Sequence, residues 1–206
     1  MNKKAIYHYL NITSDSYDES LIDECIEEVK NCAHFKAIHR CFHLTHHPLM
    51  IKELGIVLES DDLSFYFKDC DQCIVVLGTL GNEIDRRIKY YEYVHMAKAV
   101  VFDAVANAYI EQCLDEYQNH CPFACTYRFA PGYGDIPIAL NKQLYESLDA
   151  YKHLGVSVNK GGLFVPLKSI LGICGNTTNI TKSCMSCIRK QDCVYRKEGR
   201  VCYVKD

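Results

Sequence analysis

Two stretches of this chain place residue types where their spacing suits chemistry. In Tyr127-Arg128-Phe129-Ala130-Pro131-Gly132-Tyr133 an arginine sits among residues that restrict or specialise the backbone. Its guanidinium is a planar, always-charged fork suited to a carboxylate. The glycine permits close backbone approach, and the tyrosine offers a flat face and a hydroxyl. The alternative is an ordinary turn with a solvated arginine. The second stretch is Cys184-x2-Cys187-x5-Cys193, with Cys174 ten residues before it and Cys202 nine after. A Cys-x2-Cys pair can bite one tetrahedral metal, and Cys174 and Cys193 would complete a zinc or iron–sulfur site with Cys184 and Cys187. Lys182, Arg189, Lys190 and Arg196 would favour the thiolates and offset cluster charge. A redox-active dithiol and simple free thiols are the competing readings.

The elements that must position these residues follow from periodicity. Leu21, Ile22, Cys25, Ile26, Val29, Cys32 and Ala33 recur at helical spacing over 18–34, behind an acidic start that complements the helix dipole. Residues 37–44 alternate as a strand, with Ile38, Phe42 and Leu44 on one face and His39, Cys41 and His43 on the other. A second strand is expected over 53–58, and Ser60 caps a short helix running to about Lys68. Ile74–Leu77 has the apolar run of a buried strand. Beyond Gly78-Thr79-Leu80-Gly81, a helical pattern from Glu83 to about Tyr117 is too long for one ordinary helix, which predicts a break near 93–98. Pro122, Pro131, Gly132, Gly134 and Pro137 mark 120–137 as a loop with special backbone needs. Asn141–His153 reads as a helix ended by Gly155, and Gly161–Cys174 as strand-like. Helices and strands mix without a βαβ rhythm. The expectation is therefore an α+β fold, a twisted antiparallel sheet with flanking helices over 1–175, plus a small Cys-rich tail over 176–206.

Composition narrows the function. The chain has 206 residues, 49% of them apolar, with 23 Lys+Arg against 26 Asp+Glu and a formal charge of -3. That balance gives no electrostatic footprint for nucleic acid. Ala5–Leu10 is too short and polar for a signal-peptide core, and no apolar run approaches the roughly 20 residues of a membrane helix. The expectation is a soluble, cytoplasmic protein. Thirteen cysteines, an odd number, argue against a disulfide framework. Cys25, Cys32, Cys41 and Cys113 read as small buried hydrophobes, and Cys70 and Cys73 as structural. His39, His43, His46 and His47 read as a solvated strand face rather than a metal site. No phosphate-binding glycine loop, His-Glu-x-x-His or Gly-x-Ser-x-Gly is present.

Arg128, Gly132 and Tyr133, with Ala130 and Pro131, match the Arg-x-x-x-Gly-Tyr motif of the activation domain of cobalamin-dependent methionine synthase, which this sequence resembles. The resemblance continues through Pro137, Lys152-His153-Leu154-Gly155, Leu163-Phe164-Val165-Pro166, Ser169 and Gly172. Upstream, Gly78-Thr79-Leu80-Gly81 resembles free-standing members of that family, so the likeness spans roughly 74–175. The family implies a subunit that binds S-adenosylmethionine over the corrin of a cob(II)alamin while a flavodoxin-type protein supplies one electron, and so acts as the activation component of a methyltransferase. By resemblance Arg128 would bind the cofactor's carboxylate, and the backbone at Ala130 and Gly132 would contact the molecule. Tyr133 would face the corrin, as the residue nearest the chemistry. The cobalamin would belong to a partner, a methionine synthase lacking its own activation domain. The sequence departs from the family at its acids. Asn107 stands where one carboxylate is expected and Pro122 falls near another, leaving Asp103, Glu111 or Asp135 as substitutes. A docking-only adaptor for a corrinoid protein, or a Cys-cluster redox protein, are the rival functions.

Overall fold

The structure, a computed structural model, describes residues 1–12 and 18–177. Cys73–Leu77 is apolar at every position, and the fold shows why. Strand β4 (Gln72–Thr79) is buried on both faces, between β1 (Lys36–Thr45) and β7 (Ser169–Gly175). All pairings are antiparallel, and β2 (Met50–Ile51) and β3 (Ile56–Val57) extend the sheet in the order β3-β2-β1-β4-β7. The expected α+β class and antiparallel sheet are what the chain adopts.

Alternation along β4 divides the core in two. Ile74 and Val76 point to a layer built from α1 (Lys3–Leu10), α2 (Glu19–Cys32), α4 (Asn82–Val94) and α5 (Met96–Gln118). Cys73, Val75 and Leu77 point the other way, to α3 (Asp61–Tyr66), α6 (Leu140–Ser147) and α7 (Ala150–Leu154). A two-stranded ribbon of β5 (Ser157–Val158) and β6 (Phe164–Val165) completes the elements.

The long helical pattern breaks where expected. His95 leaves helical geometry, its N–H still donating to the Tyr91 carbonyl at 2.8 Å, and its Nδ1 accepts from the Lys98 N–H at 3.0 Å to start α5. Helix α5 carries Ala99, Ala104, Ala106 and Ala108 among its buried residues, so its backbone approaches neighbours closely on several sides. Gly78 makes the same allowance from the sheet: a Cβ there would lie 2.7 Å from Leu114 Cδ2.

Four details differ from the sequence reading. The strand expected over 53–58 is replaced by the short β2 and β3, with Lys52–Gly55 as the turn between them. The helix expected over 141–153 is two helices, because Asp149 adopts a left-handed conformation; Gly155 does cap the second (φ 68°). The strand-like run 161–174 is divided, with the cis Val165–Pro166 peptide between β6 and β7. Helix α1 was not anticipated; it is pinned by Ile6 and Tyr7 in the core and by Lys3 pairing with Glu19 at 2.8 Å and Asp23 at 2.6 Å. Beyond Thr177 the Cys-rich tail lies outside the described residues.

Candidate functional site

The motif loop is not free of the sheet. Cys125 bridges to Asn176 and Phe129 to Ile173, so this segment runs antiparallel along the outer edge of β7. Four steps along it match three along β7, which means it carries one extra residue, a bulge. The pleat then sends neighbouring side chains to opposite faces. Phe129 packs against Tyr66 and Phe67 at ring separations of 5.0 and 5.7 Å on the α3 side. Arg128 goes to the α5 side. Its stem crosses β7 at Gly172, where a Cβ would lie 3.1 Å from Arg128 Cβ, so the glycine opens the path.

The Arg128 side chain is only 7% exposed. Its Nη2 donates to a Glu111 carboxylate oxygen, to Asp115 Oδ1 at 2.8 Å and to the Glu111 carbonyl at 3.3 Å, while Nη1 donates to Gln118 Oε1. Its Nε is buried with no partner. Burial works against the charge, but the Glu111 and Asp115 carboxylates outweigh it, and the guanidinium's proton affinity is raised above its usual value. Glu111 and Asp115 are 40% and 64% exposed, so the buried arginine meets solvent through its two partners.

Asn107 lies on the same helix, one turn before Glu111. Its side-chain amide donates to Asp103 Oδ2 at 3.0 Å, and its oxygen accepts from Lys168 Nζ at 2.7 Å. Lys168 also pairs with Asp103 at 2.7 Å. Positions 103, 107, 111 and 115 thus form one polar stripe at four-residue spacing, legible in the sequence, facing Lys168 and Arg128.

After Arg128 the chain turns tightly. Tyr133 N donates to the Ala130 carbonyl at 3.1 Å, Ile136 N to the Tyr133 carbonyl at 3.1 Å, and Gly132 N to the Ile136 carbonyl at 2.8 Å. Gly132 (φ 93°) and Gly134 (φ 59°) are both left-handed, and a Cβ at 134 would meet Asp62 Oδ2 at 2.6 Å. Pro131 and Ile136 are buried, whereas Tyr133 is 57% exposed. Asp135 serves the start of α3: it accepts from the Ser60 hydroxyl, from Asp61 N at 2.5 Å and from Asp62 N at 3.3 Å. Partial burial opposes ionisation, yet the Ser60 hydroxyl and these two amides hold its carboxyl below the usual range. Ser60 is the cap the sequence indicated, accepting from Leu63 N at 3.0 Å.

The structure therefore brings Arg128, Asn107, Glu111 and Asp115 onto one side of the sheet edge. The Ala130–Tyr133 turn follows from the end of the same segment. Glu111 is one of the substitute acids the sequence offers, whereas Asp115, Gln118 and Lys168 are partners that motif reading alone does not supply. The cysteines divide differently. Cys174 is wholly buried on the α5 face of β7, where burial pushes its thiol well up and Gln118 Nε2 donates to its sulfur at 3.3 Å. Cys184, Cys187 and Cys193 lie outside the described residues. Among the described residues no three His, Cys, Asp or Glu side chains are grouped to hold a metal ion. Cys25, Cys32, Cys70, Cys73 and Cys113 are buried as expected, but Cys41 is exposed, because β1 turns that face outward. Of the histidines, His39 meets the Tyr117 hydroxyl at 2.9 Å and His43 meets Glu53 at 2.6 Å, a partner brought up by the β2–β3 turn.

No helix among the described residues is long and apolar enough to cross a membrane. No protein-family model and no curated protein matches this sequence. Among solved structures, the chain is similar to the reactivation domain of MetH bound to AdoHcy. The superposition has a TM-score of 0.54 at 14% identity and covers 89% of this chain and 73% of that one. At that identity the shared property is the fold alone, a curled antiparallel sheet with flanking helices.

Proposed function

We propose that this chain is a separate activation subunit. It would bind S-adenosylmethionine and support reductive methylation of the cob(II)alamin carried by a methionine synthase that lacks its own activation domain. The observation that carries this reading is the state of Arg128: a buried guanidinium with one unsatisfied N–H, held against carboxylates at the edge of this fold. Such a group suits the carboxylate of an amino-acid tail. The solved neighbour's ligand, AdoHcy, carries such a tail. S-adenosylmethionine supplies an electrophilic methyl group, and the partner's cobalamin is the substrate that receives it after one-electron reduction by a flavodoxin-like donor.

The chain's own part is positioning. Arg128 holds the ligand's carboxylate, the backbone at Ala130 and Gly132 fixes its approach, and Asn107 lines the helix side. Tyr133, exposed at the turn, closes the mouth toward the corrin. The test mixes the purified full chain with a cobalamin-loaded methionine synthase lacking an activation domain, reduced flavodoxin and S-adenosylmethionine, and follows loss of the cob(II)alamin absorption band. Conversion should need all components and should fail with Arg128→Ala. No conversion, together with no calorimetric heat from S-adenosylmethionine, would reject the proposal.

One observation favours the adaptor reading. Arg128 is already paired within the chain, so a protein that only docks on a corrinoid partner would keep that pairing permanently. Capture of the partner with no heat from millimolar S-adenosylmethionine would select it.

A further inference from the structure

Strand β1 is paired along nearly its whole length on one side and for only a short stretch on the other. Its inner side meets β4 from Lys36 to His43, whereas β2 covers its outer side at Leu44 and Thr45. Antiparallel pairing sends alternate backbone groups to opposite sides. The Leu44 N–H donates inward, to the Asp71 carbonyl at 2.8 Å, so residues 36, 38, 40 and 42 also face β4, and 37, 39, 41 and 43 face out. His43 is satisfied there. Its N–H donates to the Glu53 carboxylate oxygens at 2.9 and 3.1 Å, and its carbonyl accepts from Lys52 N at 2.9 Å. Among the described residues, the outward N–H and C=O of Ala37, His39 and Cys41 have no backbone or side-chain partner. Ala37 and His39 are partly exposed and Cys41 fully so. The result is an open edge over Lys36–Cys41, about 20 Å long at about 3.3 Å per residue. Such edges are ordinarily covered or interrupted, yet this one carries no proline and no bulge.

We infer that Lys36–Cys41 is a docking edge for an extended segment of a partner protein, one whose side chains alternate acidic and apolar. The inference stands apart from the reading of the Arg128 site. A strand added at this edge takes its affinity from the open backbone groups and its specificity from alternate side chains. On the α7 face its neighbours would be Lys36, Ile38 and Arg40. Both cations are exposed. Arg40 meets one anion, Asp149 at 3.1 Å, and among the described residues Lys36 meets none. On the α5 face the neighbours would be Ala37, His39 and Cys41, beside Tyr117, whose hydroxyl lies 2.9 Å from His39 Nδ1. Carboxylates opposite Lys36 and Arg40 make favourable cross-strand pairs, and apolar side chains suit the Ala37–Tyr117 face. A second copy of this chain fits poorly. Residues directly opposite in a sheet share a face, so pairing β1 with itself would gather Lys36 and Arg40 of both copies on one side.

Amide hydrogen exchange, resolved by NMR on the full chain, reads the edge directly. In the free chain the amides of Ile38, Arg40 and Phe42 should exchange slowly, and those of Ala37, His39 and Cys41 fast. An acetylated, amidated octapeptide alternating glutamate and valine should slow the latter three. The same peptide with lysine in place of glutamate should bind about three- to tenfold more weakly, the scale of two cross-strand charge pairs. Ala37→Pro removes one outward N–H and leaves the β4 ladder intact, and should weaken the glutamate peptide by about three- to tenfold. Lys36→Glu combined with Arg40→Glu leaves the backbone unaltered and should reverse the preference between the peptides. Thermal melts show that each variant is folded. Slow exchange at Ala37, His39 and Cys41 in the free chain overturns the inference: if it fades on dilution the edge belongs to a second copy, and if it does not the chain covers the edge itself. Failure of the glutamate peptide to slow these amides, or equal affinity for the two peptides, overturns it as well. None of these results bears on S-adenosylmethionine binding.

Discussion

Replacing Arg128 with methionine removes the guanidinium but keeps an unbranched stem to lie over Gly172. Two limits bracket the cost. Taking one partner from a buried pair costs about 3–5 kcal/mol, because a charge is left without compensation. An exposed pair is worth about 0–1 kcal/mol. Arg128 is 7% exposed, which belongs to the first limit, but the groups left behind are 40% and 64% exposed and can turn to water. Discounting for that screening, and for the relief of no longer burying a guanidinium, gives a loss of about 1–2 kcal/mol. For a chain of this size each kcal/mol moves the melting point by about 2–4 °C, so Arg128→Met should melt roughly 2–8 °C lower in dilute buffer. The gap should shrink in about 1 M salt, where the Debye length falls to about 3 Å. Arg128→Ala should lose more, because the stem goes as well. Scanning calorimetry at low and high salt measures all three. If Arg128→Met melts with or above wild type at low salt, the α5 carboxylates are not what holds the loop.

Three further outcomes follow from single features of the fold. Gly78→Ala drives a Cβ to within 2.7 Å of Leu114 in a closed core, and should cost about 1–3 kcal/mol by urea denaturation. Combined with Leu114→Ala it should cost less than the sum of the two, and strict additivity would show that they do not press on each other. The Asp135 carboxyl is depressed in the folded state, so its stabilisation is full above the unfolded value of about 4 and is lost as pH falls through the lower folded value. Asp135→Asn should therefore lower the melting point at pH 7 but converge with wild type in strong acid; a constant difference down to pH 2 would refute the cap. Among the described cysteines, alkylation of the native protein followed by peptide mapping should find Cys41 first. Cys25 and Cys73, whose thiols burial pushes to about 12, should label only on unfolding, as should Cys174. Early labelling of Cys174 would mean that residues 125–129 do not close the edge of β7.

The amino-acid sequence alone determined what local physics determines. Apolar spacing marked α2, β1, β4 and the α4–α5 pair, and even placed the break that falls at His95, because periodicity, caps and breakers act over a few residues. It marked Ser60 as a cap and residues 120–137 as a loop needing unusual backbone, and the left-handed Gly132 and Gly134 are there. Shorter elements escaped. An eight-residue α1 and two-residue β2 and β3 have too little period to read, and Asp149 in a left-handed conformation splits a helix whose pattern runs on. The site divides in the same way. Arg128 and Tyr133 stand out as residue types, and the four-residue spacing of Asp103, Asn107, Glu111 and Asp115 is visible without a fold. Only the tertiary structure decided that the two meet. A bulged segment added to β7 points Arg128 one way and Phe129 the other, and Gly172 leaves room for the stem to reach α5. That meeting joins residues far apart in the chain, and its physical cause is strand register and the close approach of a helix to a sheet, which no local pattern encodes.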